Sequence, residues 1–91
     1  MQTFMIVSTF KPEATMEQIQ ALIPVEQERA KELEALGIIT SIKISMPKRT
    51  AFIETAGESQ ESVMKAILSL PMASIWDIEI FPTTPPAGPA A

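Results

Sequence analysis

Few side chains in this chain could move a proton, and one of them is out of place. Counted at 3.6 residues per turn, Ile19, Leu22, Ile23, Ala30 and Leu33 mark one apolar stripe of a helix. Glu26 lies near the middle of that stripe, away from Glu28, Lys31 and Glu32 on the charged side. Burial disfavours the charged form of a carboxyl and raises its proton affinity toward neutrality, which suits a group that both takes and returns a proton. The alternative is that Pro24 twists the helix and lets Glu26 reach solvent or a lysine.

Two further groupings carry charge. Lys48 and Arg49 are an adjacent basic pair at the tip of a hairpin, a place from which they could receive an anionic carboxylate or simply be solvated. Asp77 and Glu79 alternate with Trp76, Ile78 and Ile80, so they share one face of a strand. No base or metal ligand lies beside them in sequence, and charges on an edge strand block uncontrolled strand addition, so they read as edge markers. Trp76 and the six methionines read first as packing residues.

Composition narrows the chemistry. The 91 residues include no cysteine, no histidine and no tyrosine, which removes thiolate nucleophiles, disulfides, the commonest metal ligands and the imidazole base. A net charge of -4 with no basic stripe argues against nucleic acid as a partner. The apolar run Phe4-Met5-Ile6-Val7 is too short for a membrane span and has no basic segment before it, so the expectation is a cytoplasmic protein.

The elements that must hold Glu26 follow from periodicity. Residues 2–9 are β-branched and apolar, as in a central strand. Thr15 with Gln18 forms a capping-box pattern for a helix over about 16–36, with Gly37 placed for a left-handed cap and Pro24 forcing a kink or restart near Ile23. Ile38, Thr40, Ile42, Ile44 and Met46 alternate onto one face of a second strand, and Lys43 faces the other way. A turn at Pro47-Lys48 leads to a third strand over 50–55. A helix then starts within 58–61 and runs through Leu68, with Pro71 after its end, before the alternating final run to Pro82.

The order βαββαβ predicts an α+β, ferredoxin-like fold: a four-stranded antiparallel sheet with two helices on one face, strands one and three central. Residues 1–83 form one domain and 84–91 a Pro/Ala-rich tail. One sheet face stays uncovered, with isoleucine, phenylalanine and methionine from strands one to three exposed on it, so the chain is expected to form a homo-oligomer, at least a dimer.

Three segments carry a family resemblance. Lys31-Glu32-Leu33-Glu34-Ala35-Leu36-Gly37, the helix end Ile67-Leu68-Ser69-Leu70-Pro71, and above all Asp77-Ile78-Glu79-Ile80-Phe81-Pro82 resemble the muconolactone isomerase family, over roughly residues 20–83. The resemblance implies a dimeric α+β barrel and a ring isomerisation in aromatic degradation, in which a glutamate of the first helix moves a proton on an unsaturated lactone acid without a cofactor. Glu26 falls at that glutamate. Where the family draws an aromatic hydroxyl and a small polar side chain for its site, this chain has Arg49 and Ala51, and the family's histidines around the first helix are absent. In that reading Arg49 and Lys48 grip the substrate carboxylate, and Phe52 and Trp76 wall the cavity. The alternative is a non-catalytic or differently catalytic oligomeric barrel that binds a small apolar acid.

Overall fold

The first strand, β1 (Gln2–Phe10), is the middle of everything that follows. In a computed structural model describing residues 1–84, it pairs antiparallel with β3 (Thr50–Gly57) on one side and β4 (Trp76–Thr83) on the other. β2 (Ile39–Ser45) pairs antiparallel with β3, giving the order β2-β3-β1-β4. Two helices, α1 (Met16–Ala35) and α2 (Gln60–Leu68), cover one face, and a 3-10 turn (Pro71–Ile75) leads into β4. This is the expected ferredoxin-like α+β arrangement with strands one and three central. The Pro/Ala tail expected from residue 84 lies, beyond Thr84 itself, outside the described residues.

Local chemistry sets the helix ends. Thr15 Oγ1 accepts from the Gln18 amide at 3.2 Å while Gln18 Oε1 accepts from the Thr15 amide at 2.9 Å, a reciprocal cap on two otherwise orphaned donors. At the other end Gly37 has φ +78°, and the Ile38 and Gly37 amides return to the Leu33 and Glu34 carbonyls, closing α1 by a Schellman motif. α1 runs unbroken through Pro24, so there is no restart at Ile23. Ser59 and Ser62 cap α2 in the same reciprocal way.

Phe4 and Ile6 of β1, Ile53 of β3, Leu33 of α1, and Val63 and Ile67 of α2 are fully buried together between sheet and helices. Ile23 of the expected apolar stripe is not among them: it is 38% exposed, and Ile19, Leu22, Ala30 and Leu33 alone make the contact. A second correction concerns β2. Ile39 lies opposite Thr55 but Ser41 opposite Glu54, so Thr40 is the extra residue of a β-bulge. The bulge shifts the alternation by one, placing Ile39, Ile42 and Ile44 on the helix side with Thr55, Ile53 and Ala51. The uncovered face therefore lacks the expected isoleucines. It carries Met5 and Val7, Phe52, Phe81 and Lys43, with Glu54, Asp77 and Glu79. Among the described residues no helix is long and apolar enough to cross a membrane.

Candidate functional site

Glu26 projects from the buried side of α1 onto the 3-10 turn. Its Oε1 accepts a hydrogen bond of 2.8 Å from the amide of Met72, itself buried. Pro71 opens the turn and has no N–H, so Met72 supplies the first free amide there, and the carboxylate caps it from a different element. Glu26 is half-buried. Burial pushes its carboxyl above the ordinary value of 4.5, and the Met72 hydrogen bond opposes that shift in part. The carboxyl is thus partly desolvated, and a backbone amide partners it rather than a lysine. One helical turn on, Arg29 Nε donates to Ser69 Oγ at 3.0 Å and Nη1 to Glu32 at 3.1 Å, which ties α1 to the end of α2.

Trp76 is close to this corner. It begins β4 directly after the 3-10 turn, is buried, and its ring centroid lies 6.2 Å from that of Phe10, its cross-strand partner. Phe10 pairs with Trp76 and Ser8 with Ile78, so Ser8 sits diagonally across from Trp76 on the helix side of the sheet. Ser8 is fully buried, and neither Ser8 Oγ nor Trp76 Nε1 has a hydrogen-bond partner among the described residues.

The basic pair lies at the hairpin end of the sheet, where the Phe10 amide donates to the Arg49 carbonyl at 3.0 Å and Phe10 in turn pairs with Trp76. Arg49 closes the β2–β3 turn with φ +49°, and its Nη2 donates to the carbonyl of Ala14 at 2.9 Å, just before α1. At 1.5 Å per residue, Glu26 lies about 17 Å farther along the helix axis, so the structure does not bring Arg49 to Glu26. Lys48 is exposed at the same turn. Phe52 is on the uncovered face, between Ala51 and Ile53, which face the helices. Within one chain it cannot share a wall with Trp76. A depression of about 270 Å3 is found at the other end of the sheet, lined by Met1, Leu36, Ile38, Ala56, Gly57 and Val63 among others. Leu36 is ten residues beyond Glu26, about 15 Å along the axis.

Sequence reasoning missed Ser8 and the Trp76 indole nitrogen as polar groups. One signal was available: a serine inside the apolar, β-branched run of a central strand must bury its hydroxyl.

No protein-family model matches the chain, and no curated protein matches its sequence. A solved structure does: the crystal structure of muconolactone isomerase at 3.3 Å resolution aligns over 96% of this chain and 94% of that one, with a TM-score of 0.77 and 20% identity. The chain has a muconolactone isomerase-like fold. The expected element order, sheet and helix layer are those of that structure, and at this identity the similarity speaks for the fold.

Proposed function

We propose that the chain is an isomerase of the muconolactone isomerase type, with Glu26 carrying a proton between two carbons of a small unsaturated lactone acid. The observation that supports this reading is Glu26 itself: a half-buried carboxyl of raised proton affinity, on the first helix of a muconolactone isomerase-like fold. As a carboxylate it takes a proton from carbon. The electron pair left behind moves through the neighbouring double bond, and the same carboxyl returns the proton at the bond's far end. Substrate and product are isomers, and the step as written uses no cofactor. Trp76 walls the site, while Lys48 and Arg49 draw an anionic acid toward the hairpin end of the molecule from a distance.

The test is turnover. Purified protein mixed with muconolactone should convert it, and Glu26→Gln should lose at least about 10²-fold in kcat, the scale of a positioned acid–base group. No detectable turnover by the wild-type chain refutes the proposal.

One observation favours a second reading, a barrel that binds a small apolar acid without this chemistry: Glu26 already serves as the cap of the 3-10 turn. Its mark is acid binding that survives Glu26→Gln together with no activity on the lactone.

The working unit we propose is a homo-oligomer, at least a dimer, in the cytoplasm. Met5, Val7, Phe52 and Phe81 form the apolar centre of the uncovered face, with Lys43 toward one edge and Asp77 and Glu79 on the opposite edge strand. A second copy packed on this face by a two-fold axis parallel to the strands would place Lys43 of each near Glu79 of the other.

A further inference from the structure

If a small lactone acid is to be held against Glu26, something other than Arg49 must take its oxygens. The helix side of the sheet offers two candidates with no other employment. Thr55 is equally buried on that side, and its hydroxyl donates to the Phe4 carbonyl at 2.9 Å. Ser8, two positions along the same face from Ile6, has no such bond, and neither has the Trp76 indole N–H. Buried polar groups in folded chains are almost always satisfied, because an unmade hydrogen bond leaves the group's lost hydration uncompensated. Two orphans on neighbouring strands, in diagonal register and next to the turn that Glu26 caps, make one polar spot within an apolar layer.

We infer that Ser8 Oγ and Trp76 Nε1 form a two-donor site for a carbonyl or carboxylate oxygen of the ligand, on the helix side of the sheet beside the 3-10 turn that Glu26 caps. The indole nitrogen can only donate, and the serine hydroxyl can rotate to donate, so a single acceptor oxygen between them satisfies both. This inference rests on the proposed isomerisation and says where its charge goes. When Glu26 takes a proton from carbon, the C–H pair delocalises through the double bond onto the lactone carbonyl oxygen. That oxygen becomes an enolate held by the two N–H and O–H donors. On reprotonation at the second carbon the pair returns, the carbonyl re-forms, and Glu26 is a carboxylate again. Donors aimed at such an oxygen in a dry site are worth about 10²–10³ in rate. Both atoms are shut off from solvent, so a ligand reaches them only if the helix layer parts from the sheet there.

Trp76 is the chain's single tryptophan, which makes the site its own reporter. The experiment titrates the wild-type and Ser8→Ala chains with muconolactone, and with the same lactone acid saturated in its ring, while following indole emission, turnover and thermal unfolding. The expected result is a saturable change in Trp76 emission with both acids in the wild type. Ser8→Ala should unfold at no lower temperature, because it removes an orphaned hydroxyl, yet bind either acid several-fold more weakly and lose about 10²-fold in kcat. Wild-type turnover with unchanged emission, or Ser8→Ala with unaltered binding and kcat, overturns the inference and leaves the isomerase reading standing. Emission that saturates and weakens in Ser8→Ala, without turnover, upholds the donor site and removes the isomerase reading. The wild-type titration needs no variant, so a misfolded Ser8→Ala does not spare the inference.

Discussion

Glu26 is drawn two ways, by burial that favours its protonated form and by the Met72 amide that favours the carboxylate, with burial the stronger. The folded chain therefore keeps this proton over a pH range in which the unfolded chain has released it. The sign follows: between the ordinary 4.5 and the raised folded value the native state binds more protons, so stability falls as pH rises through that window. Glu26→Gln keeps an oxygen for the Met72 amide and removes the charge. It should unfold at a higher temperature than wild type at neutral pH, and the gap should close below pH 4.5. Melting curves across that range check this, and a gap independent of pH would show that the carboxyl is not titrating in the fold. If Glu26 is the base, kcat/KM should fall as pH drops through the same raised value. The anomaly of Glu26 could be read from spacing alone, because a carboxylate on an apolar stripe must be buried, paired or functional. Arg49 could not be read this way. Its latch to the Ala14 carbonyl depends on a left-handed backbone and on two loops meeting across 35 residues of sequence.

At the scale of elements, the caps did most of the positioning and were visible in advance, since a Thr with a Gln three residues later and a glycine after an apolar period each act locally. The bulge at Thr40 left no such mark. A regular alternation of isoleucines looks the same in sequence whether or not one residue is squeezed out of register, and only pairing with β3 decides it. Nor does the sequence separate the 3-10 turn at Pro71–Ile75 from the strand after it, because its residues continue the apolar character of that run. A joint between β3 and α2 gives a sharper test. A Cβ added at Gly57 would lie 2.5 Å from Val63 Cγ2, and Val63 is fully buried. Gly57→Ala should therefore cost about 1–3 kcal/mol through overpacking. Urea unfolding should show a lower midpoint at an unchanged slope, and an unaltered midpoint would mean that α2 shifts freely on the sheet.

For the whole molecule the open question is the second face of the sheet. Phe52 is 39% exposed there and Phe81 45%, in a chain too short to bury a large core alone. If two such faces pack together, Phe52→Asp places a charge at the centre of each and should shift sedimentation toward the monomer, while leaving the helix side intact. An unchanged sedimentation coefficient, or a wild-type chain already monomeric, removes the dimer from the proposal. The need for such a face was legible from counting layers. Its phenylalanine and methionine were legible as well, in Phe52 and Met5, whereas the isoleucines expected on it were not there, because the bulge keeps them on the helix side.

The position of β1 also bears on how the chain comes to be folded. It precedes the other described elements in the chain, yet both of its neighbours come late: β3 begins at residue 50 and β4 closes at Thr83, where Thr3 and Thr83 join through their hydroxyls at 2.9 Å. Until each has been made, the matching edge of β1 has no strand to bond. Closing loops of this length before any pairing is made is slow. A nascent chain stalled before residue 76 would hold the central strand of the sheet with one edge bare, open to strands of other molecules.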